Sequence, residues 1–165
     1  MATKKSFEIG SWVVYPSHGV GKLDKIEKIK IADMEAEFFV ITFSKNNLTL
    51  KLPIKKAIDS GLRKMSTKTE LKNVFETLSL KVKKRKMMWG KRAQEYETKI
   101  NSGDPCSIAE VIRDLYRTES DAALSFSERQ FLQNAMERLS KEIAIIENIE
   151  ESEATKKIET ILQAA

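Results

Sequence analysis

The spacing of apolar residues changes near residue 66, and this change constrains the fold of the chain more than any other feature. The N-terminal part consists of short runs rich in β-branched and aromatic residues, broken by turn residues, which is typical of strands. After Ser66 the apolar positions fall three or four residues apart, as in the series from Leu71 to Leu78, which indicates helices. The sequence therefore predicts an α+β protein with a β domain over residues 1–65 and an all-α domain over residues 66–165.

Four runs in the N-terminal part have the length and composition of strands. They cover residues 12–15, 21–31, 37–43 and 48–52. Short connectors separate these runs, so neighbouring strands are expected to pair as antiparallel hairpins, with a sharp reversal between Pro16 and Gly21. Closing such a sheet removes most of its exposed edges, and a small, twisted antiparallel β-barrel is therefore expected.

About five helices are expected after Ser66, each from its apolar period and its end signals. They are a first helix that starts at the capping box Thr67–Glu70, a second over about 86–100 that is closed by Gly103, a third with Asp104 as N-cap and Pro105 at its first position, a long fourth that starts at the capping box Ser125–Glu128, and a short fifth over 154–162. The apolar seam of the fourth helix lasts about two heptads, which favours packing inside a bundle over a coiled-coil dimer. A monomer is expected.

Residues that carry catalysis and metal binding are scarce in this chain. One cysteine, Cys106, and one histidine, His18, cannot assemble the usual zinc ligand sets. The segment Gly19–Lys22 lacks the earlier glycine of a phosphate-binding loop, and Leu23 stands where that loop needs Ser or Thr. Cys106 lies in the first turn of a helix, where its thiol pKa could be lowered, although a lone cysteine there is usually a packing residue. No enzyme activity, cofactor or metal is expected.

Membrane insertion and secretion are not indicated either. No apolar run approaches the roughly 18 residues needed to cross a bilayer, and the N-terminus lacks the apolar segment of a secretory signal. A cytoplasmic protein without a membrane partner is expected.

The charged residues are distributed unevenly along the chain. Residues 1–65 hold 12 basic and 7 acidic residues, residues 66–100 hold 10 and 4, and residues 101–165 hold 7 and 13. The C-terminal third would therefore repel a polyanion, whereas the middle segment would attract one. Any nucleic acid is expected to meet the middle segment.

The densest cationic run, residues 83–92, also contains a tryptophan. Its lysines and arginines would bind phosphates by releasing counterions, which gives affinity without base specificity. Trp89 could add selectivity as a wedge against bases in the minor groove of bent or opening DNA. Alternatively, Trp89 heads a helical stripe with Ala93, Tyr96 and Ile100 and is simply buried. The pattern alone leaves both interpretations open.

The order of several short motifs resembles the CarD-type RNA polymerase-binding regulators of bacteria over nearly the whole chain. The motifs are Phe7-x-x-Gly10-x-x-Val-Val-Tyr-Pro-x-His-Gly-Val-Gly21, Leu52-Pro53, Gly61-Leu-Arg63, Trp89-x-x-Arg92, Ser102-Gly-Asp104, Glu110-Val-Ile-Arg-Asp-Leu115 and Ser127-Glu-Arg129. The resemblance implies a Tudor-like barrel that docks on the polymerase β subunit and a helical domain that contacts DNA at the upstream edge of the transcription bubble. Such a protein stabilises the open promoter complex, and it would associate with the nucleoid through polymerase.

The resemblance also assigns roles to individual residues. Trp89 would be the minor-groove wedge, Lys91 and Arg92 phosphate contacts, and Arg129 a further one, with the cationic run adding Lys84, Arg85 and Lys86. The strand residues expected to meet polymerase, through an edge that accepts a partner strand, are Ile29, Thr49, Leu50, Lys51 and Pro53. Some family members carry arginines where this chain has Ile29 and Lys51, and lysine cannot reproduce the bidentate guanidinium.

Two other classes of function compete with this interpretation. In a protein-only adaptor, the β domain would recruit a partner and the helical domain would be a scaffold. In a repair-coupling factor, a similar barrel would stand beside a translocase, but this chain has no ATPase signature. A dependence of DNA affinity on ionic strength would separate the regulator from the adaptor.

Overall fold

The computed structural model describes residues 7–44, 47–80, 89–121 and 124–164, with the backbone alone at Trp89 and at residues 117–121. The chain divides into two compact units, Met1–Met65 and Ser66–Ala165. Strands fill most of the first unit and helices fill the second, which confirms the predicted α+β class. Helix lengths reach 22 residues, but no helix in the described part of the chain is apolar enough over a long enough stretch to cross a membrane.

The first unit is an antiparallel sheet with one short helix. Its elements are β1 (Trp12–Tyr15), β2 (Gly19–Ile31), β3 (Met34–Phe43), β4 (Thr49–Pro53), α1 (Ile54–Asp59) and β5 (Arg63–Lys64). The strands lie in the order β4-β3-β2-β1-β5. The reversal between β1 and β2 is as predicted: the His18 backbone N–H donates to the Tyr15 carbonyl at 3.0 Å, and Gly19 has a φ of 78°.

The sheet is open, so the expectation of a closed barrel was wrong. β4 and β5 lie at opposite edges and are not paired with each other in the residues that the structure describes. The chain between them forms α1 instead of a further strand, and β5 has two residues. Ile54 and Ala57 of α1 pack into the same apolar cluster as Phe39 of β3. The helix therefore covers apolar surface that strand closure would otherwise have buried.

The second unit contains five helices in its described residues: α2 (Lys68–Ser79), α3 (Trp89–Asn101), α4 (Pro105–Asp121), α5 (Phe126–Glu147) and α6 (Glu151–Ala164). The predicted helix end signals are confirmed at Asp104, Ser125 and Gly103, and of the capping box predicted at Thr67 the hydrogen bond from the Glu70 N–H is present. Thr67 Oγ1 accepts a hydrogen bond from the Glu70 N–H at 3.1 Å, and Asp104 Oδ1 accepts one from the Cys106 N–H at 3.2 Å. Ser125 and Glu128 form both halves of a capping box, and Gly103 has a φ of 74°.

A single apolar cluster holds the five helices together. Its fully buried members include Leu78 of α2, Ile112 and Leu115 of α4, Ile143 of α5 and Ile158 of α6. A buried polar contact joins this core to the start of the unit, because Glu142 Oε2 accepts hydrogen bonds from the Ser66 N–H at 3.0 Å and from the Ser66 hydroxyl at 2.6 Å. The long fourth helix of the prediction, α5, thus packs within a bundle, as its short seam indicated.

Candidate nucleic-acid and protein interfaces

Helices α3 and α5 lie side by side, and the first described turn of α3 lies beside the first turn of α5. Three contacts join them in the same order along both helices. Arg92 Nη2 lies 3.9 Å from Glu128 Oε2, the rings of Tyr96 and Phe131 are 6.2 Å apart, and Arg138 Nη1 donates a hydrogen bond to the Ile100 carbonyl at 3.1 Å. Because residue numbers rise together on the two helices, the helices run parallel.

Two cations predicted to contact phosphate are exposed at these two turns. Lys91 and Arg129 each directly neighbour a member of the Arg92–Glu128 ion pair in sequence, and both side chains are open to solvent. The N-terminus of α5 carries partial positive charge, which adds to that of the side chains. The structure therefore brings Lys91 and Arg129, 38 positions apart in the sequence, to one cationic end of the bundle. We call this surface the α3/α5 end and define it by Lys91, Phe126 and Arg129.

Arg92 differs from Lys91 and Arg129 because its side chain is only 33% exposed and it faces Glu128. Glu128 is engaged twice: Oε1 accepts a hydrogen bond from the Ser125 N–H at 3.2 Å, while Oε2 faces Arg92. The carboxylate thus links the first turn of α5 to α3, and it holds Lys91 and Arg129 near each other. The sequence pattern does not indicate that Arg92 lies between the two helices.

The remaining predicted DNA contacts can be placed only in part. Lys84, Arg85 and Lys86 lie outside the described residues. Trp89 is the first residue of α3 as described, and its side chain is likewise outside the description. Farther along the proposed stripe, Tyr96 and Ile100 are buried, as the period predicted.

The electrostatic character of α3 changes away from its start. Lys99 Nζ lies 3.2 Å from Glu95 Oε1 and 2.9 Å from Glu110 Oε2 of α4. Burial acts to lower the pKa of Lys99, but the hydrogen bonds that its ammonium donates to Glu110 and Glu95 outweigh burial and raise this pKa above its usual value. This lysine therefore stays charged and is committed to carboxylates of the same unit. Among the described residues of α3, the cationic surface is therefore confined to the first turn.

The residues predicted to meet polymerase lie on or near the β4 edge of the sheet. β4 pairs with β3 alone among the described strands, which leaves its other side as a sheet edge. The cross-strand pairs of β4 with β3, Val40–Lys51 and Phe38–Pro53, and the pairing of β3 with β2 place Ile29, Lys51 and Pro53 on the same face of the sheet. We call this the outer face, because it lies opposite the face that packs on the apolar core. Thr49 shares that face, since it alternates with Lys51. Leu50 points the other way and packs against the core, so its backbone, not its side chain, is at the edge.

The outer face continues along a two-stranded ribbon that extends β2 and β3 beyond β4. The ribbon turns at Ala32 and Asp33, whose φ values of 47° and 66° fit the two-residue turn that matches strand twist. Ile31 pairs with Met34 on the outer face, and these side chains are 59% and 76% exposed. Sequence reasoning missed both residues, although the alternation of lysine and isoleucine over residues 28–31 is the pattern that could have indicated them.

The opposite face of the same ribbon carries charges of both signs. Lys28 faces Glu37 and Lys30 faces Glu35 across the strands, as opposite-charge pairs that suit a solvated surface. On the outer face, Lys51 Nζ lies 3.3 Å from Glu27 Oε2 beside the apolar residues. The ribbon is thus amphipathic, with an apolar outer face that continues to the β4 edge.

His18 and Cys106, the two residues that the sequence offered for catalysis or metal binding, lie in packed surroundings. His18 stacks on Tyr15 with 5.8 Å between ring centroids and lies 5.1 Å from the ring of Phe43. Burial raises the pKa of the Cys106 thiol, so the reactive thiolate is disfavoured. Among the described residues, no group of His, Cys, Asp and Glu side chains is arranged to hold a metal ion.

Comparison with known proteins gives matches to both units. Residues 7–66 match the family described as CarD-like/TRCF RID domain, and residues 73–159 match the family described as CarD, C-terminal domain. A protein of Bacillus subtilis (strain 168) that is described as a candidate transcription factor, YdeB, is 33% identical over 147 residues, covering 89% of this chain and 96% of the relative. These matches lie with a transcription-factor family and not with a family of enzymes.

Proposed function

Since the chain belongs to the CarD family and is a transcription regulator, we propose that it binds promoter DNA through the α3/α5 end and the β subunit of RNA polymerase through the sheet. In this proposal the DNA contact lies at the upstream edge of the transcription bubble and stabilises the open complex. The observation that carries the proposal is the exposure of Lys91 and Arg129 together, next to the Arg92–Glu128 ion pair between the parallel helices α3 and α5.

The DNA half of the proposal is supported by charge and geometry. Two exposed cations lie beside the start of α5, and Glu128, the carboxylate between them among the described residues, is already engaged by Arg92 and the Ser125 N–H. A phosphate backbone approaching this end therefore meets net positive charge. The cationic run Lys84–Lys86 precedes α3 in sequence and would add to the same attraction.

The polymerase half is supported by the open edge of β4 and by the apolar outer face of the ribbon. An edge strand can accept an extended segment of a partner by main-chain hydrogen bonding, and neighbouring side chains then select the partner. Exposed apolar pairs such as Ile31–Met34 are common in protein interfaces, which bury them at their centre. The match of this unit to the CarD-like/TRCF RID domain fits a polymerase-related contact.

The mechanism that follows is a tether with two weak contacts. When the sheet unit holds polymerase, the helical unit is kept near the promoter, and its local concentration raises the occupancy of DNA without a tight site. If the α3/α5 end prefers DNA that is bent or opening, binding shifts the promoter toward the open state. Neither contact then needs high affinity alone.

The DNA contact is tested by the salt dependence of DNA affinity. For the double variant Lys91→Gln/Arg129→Gln, we expect weaker binding of duplex DNA, and the slope of log affinity against log salt should become shallower by about 0.9 for each phosphate that the protein no longer neutralises. Fluorescence anisotropy over a series of salt concentrations measures this slope.

A single-cation control is Lys156→Gln, which is compared with Lys91→Gln alone, because Lys156 is an exposed cation on α6. It changes the net charge without touching the α3/α5 end, so its slope should equal that of the unaltered protein. Equal slopes for the double variant and the unaltered protein would favour the protein-only adaptor.

The polymerase contact is tested at the ribbon. We expect the double variant Ile31→Ser/Met34→Ser to fold normally, because both side chains are exposed, and to bind purified polymerase at least tenfold more weakly, because each apolar side chain buried in the interface contributes about 1.5–3 kcal/mol. Biolayer interferometry with immobilised polymerase gives the affinity. Leu80→Ser, which removes an exposed apolar side chain of the helical unit, is the control. Unchanged affinity of the ribbon variant would remove the ribbon from the interface.

A further inference from the structure

We propose that Phe126 is a second aromatic contact with promoter DNA, one that stacks on a base at the α3/α5 end. This inference rests on the proposed function and extends it to a residue outside the cationic run. Phe126 is the first residue of α5, and 69% of its surface is exposed. Exposure of one apolar residue is common and carries no argument alone. The argument comes from the position of this phenylalanine.

Phe126 lies among the groups that attract DNA. It precedes Arg129 by three residues, so the two side chains project from neighbouring positions on the same helix surface. The ion pair between Arg92 and Glu128 brings the start of α3, with exposed Lys91, beside this turn. An exposed ring close to exposed cations is the combination of charge and stacking surface that binds single-stranded or opened DNA.

The fold itself makes little use of this ring. The apolar residue that fixes the entry of the chain into α5 is Leu124, which is 6% exposed and belongs to the core cluster of the helical unit. Phe126 is outside that cluster and outside the partly buried residues packed on it. The capping box of Ser125 and Glu128 supplies the polar groups that start the helix. Replacing Phe126 is therefore expected to leave the fold intact.

The chemistry of an aromatic ring at this position favours opened DNA. A base in closed duplex is stacked on both faces, whereas a base at the edge of a bubble has a face available for the ring. Stacking does not depend on base identity, because every base has a π-face. Phe126 would therefore raise the preference of the α3/α5 end for opening promoters without adding sequence specificity.

Site-specific photocrosslinking in open promoter complexes tests the contact directly. p-Benzoylphenylalanine, a close analogue of phenylalanine, is placed at position 126 of the full chain, and, in separate proteins, at positions 91 and 159. Glu159 is exposed on α6 and serves as the control. We expect crosslinks to promoter DNA from positions 126 and 91 and none from position 159.

The three positions separate the inference from the proposed function. DNA crosslinks at position 91, with position 126 giving a polymerase subunit or nothing, would overturn the role of Phe126 and leave the DNA contact in place. Absence of DNA crosslinks at both positions would overturn the DNA contact itself. Crosslinks to DNA at position 126 support the inference.

A substitution series distinguishes stacking from simple apolar contact. We expect Phe126→Ala and Phe126→Leu to lower the ratio of bubble-DNA affinity to duplex affinity by about fivefold or more, and Phe126→Tyr to keep the ratio of the unaltered protein, because tyrosine retains the aromatic face. An unchanged ratio in the leucine variant would rule out stacking.

Discussion

Trp89→Ala is expected to shorten the lifetime of open promoter complexes by roughly tenfold or more, while affinity for polymerase stays unchanged. A wedge that contacts only distorted DNA stabilises the open state and leaves the closed state unaffected. One aromatic stack contributes about 1–3 kcal/mol to the stability of the open complex. Its loss lowers the barrier to dissociation and therefore shortens the lifetime. Dissociation kinetics of open complexes, challenged with a competitor that captures free polymerase, give this lifetime.

The same substitution distinguishes the two interpretations of Trp89. If the indole heads the buried stripe that continues through Tyr96 and Ile100, its truncation removes core packing and lowers the free energy of unfolding by about 3–5 kcal/mol. If the indole is a wedge, the lifetime falls while the unfolding transition stays in place. Urea unfolding of the same variant therefore accompanies the kinetics, and Trp89→Phe, which retains a ring, should keep most of the lifetime.

Gly21→Ala is expected to destabilise the sheet unit strongly. A Cβ atom at this position would lie 2.7 Å from Ile41 Cγ2 and 2.8 Å from Phe43 Cδ1, both of them side chains with almost no exposed surface. Overpacking of a well-filled core costs about 1–3 kcal/mol and sometimes more. Urea unfolding monitored by circular dichroism should show an earlier transition, and polymerase affinity should fall with the folded fraction of the unit.

Gly90→Ala provides the matched glycine control with the opposite expected sign. No atom of the described residues that could clash lies within 4 Å of a Cβ built at Gly90, which is in α3. Alanine is favoured over glycine in a helix interior by about 1 kcal/mol, so this variant should be as stable as the unaltered protein or more stable. Tolerance of alanine at position 21 would contradict the packing of β2 against the side chains of β3.

Features set by residues close together in sequence were predictable. The caps at Thr67, Asp104 and Ser125 depend on a side chain and a backbone N–H two or three residues away, and each was found where the pattern placed it. The closing glycine Gly103 has the positive φ that its position after α3 required. The class α+β followed from the change of period at residue 66, which is also a local property.

Features that depend on distant contacts were not predictable in the same way. Helix α1 has six residues, too few to show a helical period, and it exists where Ile54 and Ala57 complete the core of the sheet. The sheet was therefore expected to close, whereas it is open. The turn at Ala32 and Asp33 lacks the glycine that usually indicates a two-residue hairpin.

The candidate site was predictable as a set of cations but not as an arrangement. The run over residues 83–92 identified Lys91 and Arg92 by local charge, and the resemblance added Arg129. Their proximity depends on the parallel packing of α3 and α5, with α4 between them in sequence, and no local pattern encodes this packing. Phe126 was missed because an apolar residue at a helix start gives no indication of its exposure.

The open edge at β4 also affects how copies of this protein behave toward one another in a crowded cell. A free strand edge invites pairing with the same strand of another copy, which leads to aggregation. Pro53 offers no N–H for such a ladder, and two facing copies of Lys51 would repel each other. A foreign strand with an acidic side chain opposite Lys51 meets no such repulsion. The β4 edge therefore disfavours pairing with β4 of a second copy and still allows pairing with a strand of a different protein.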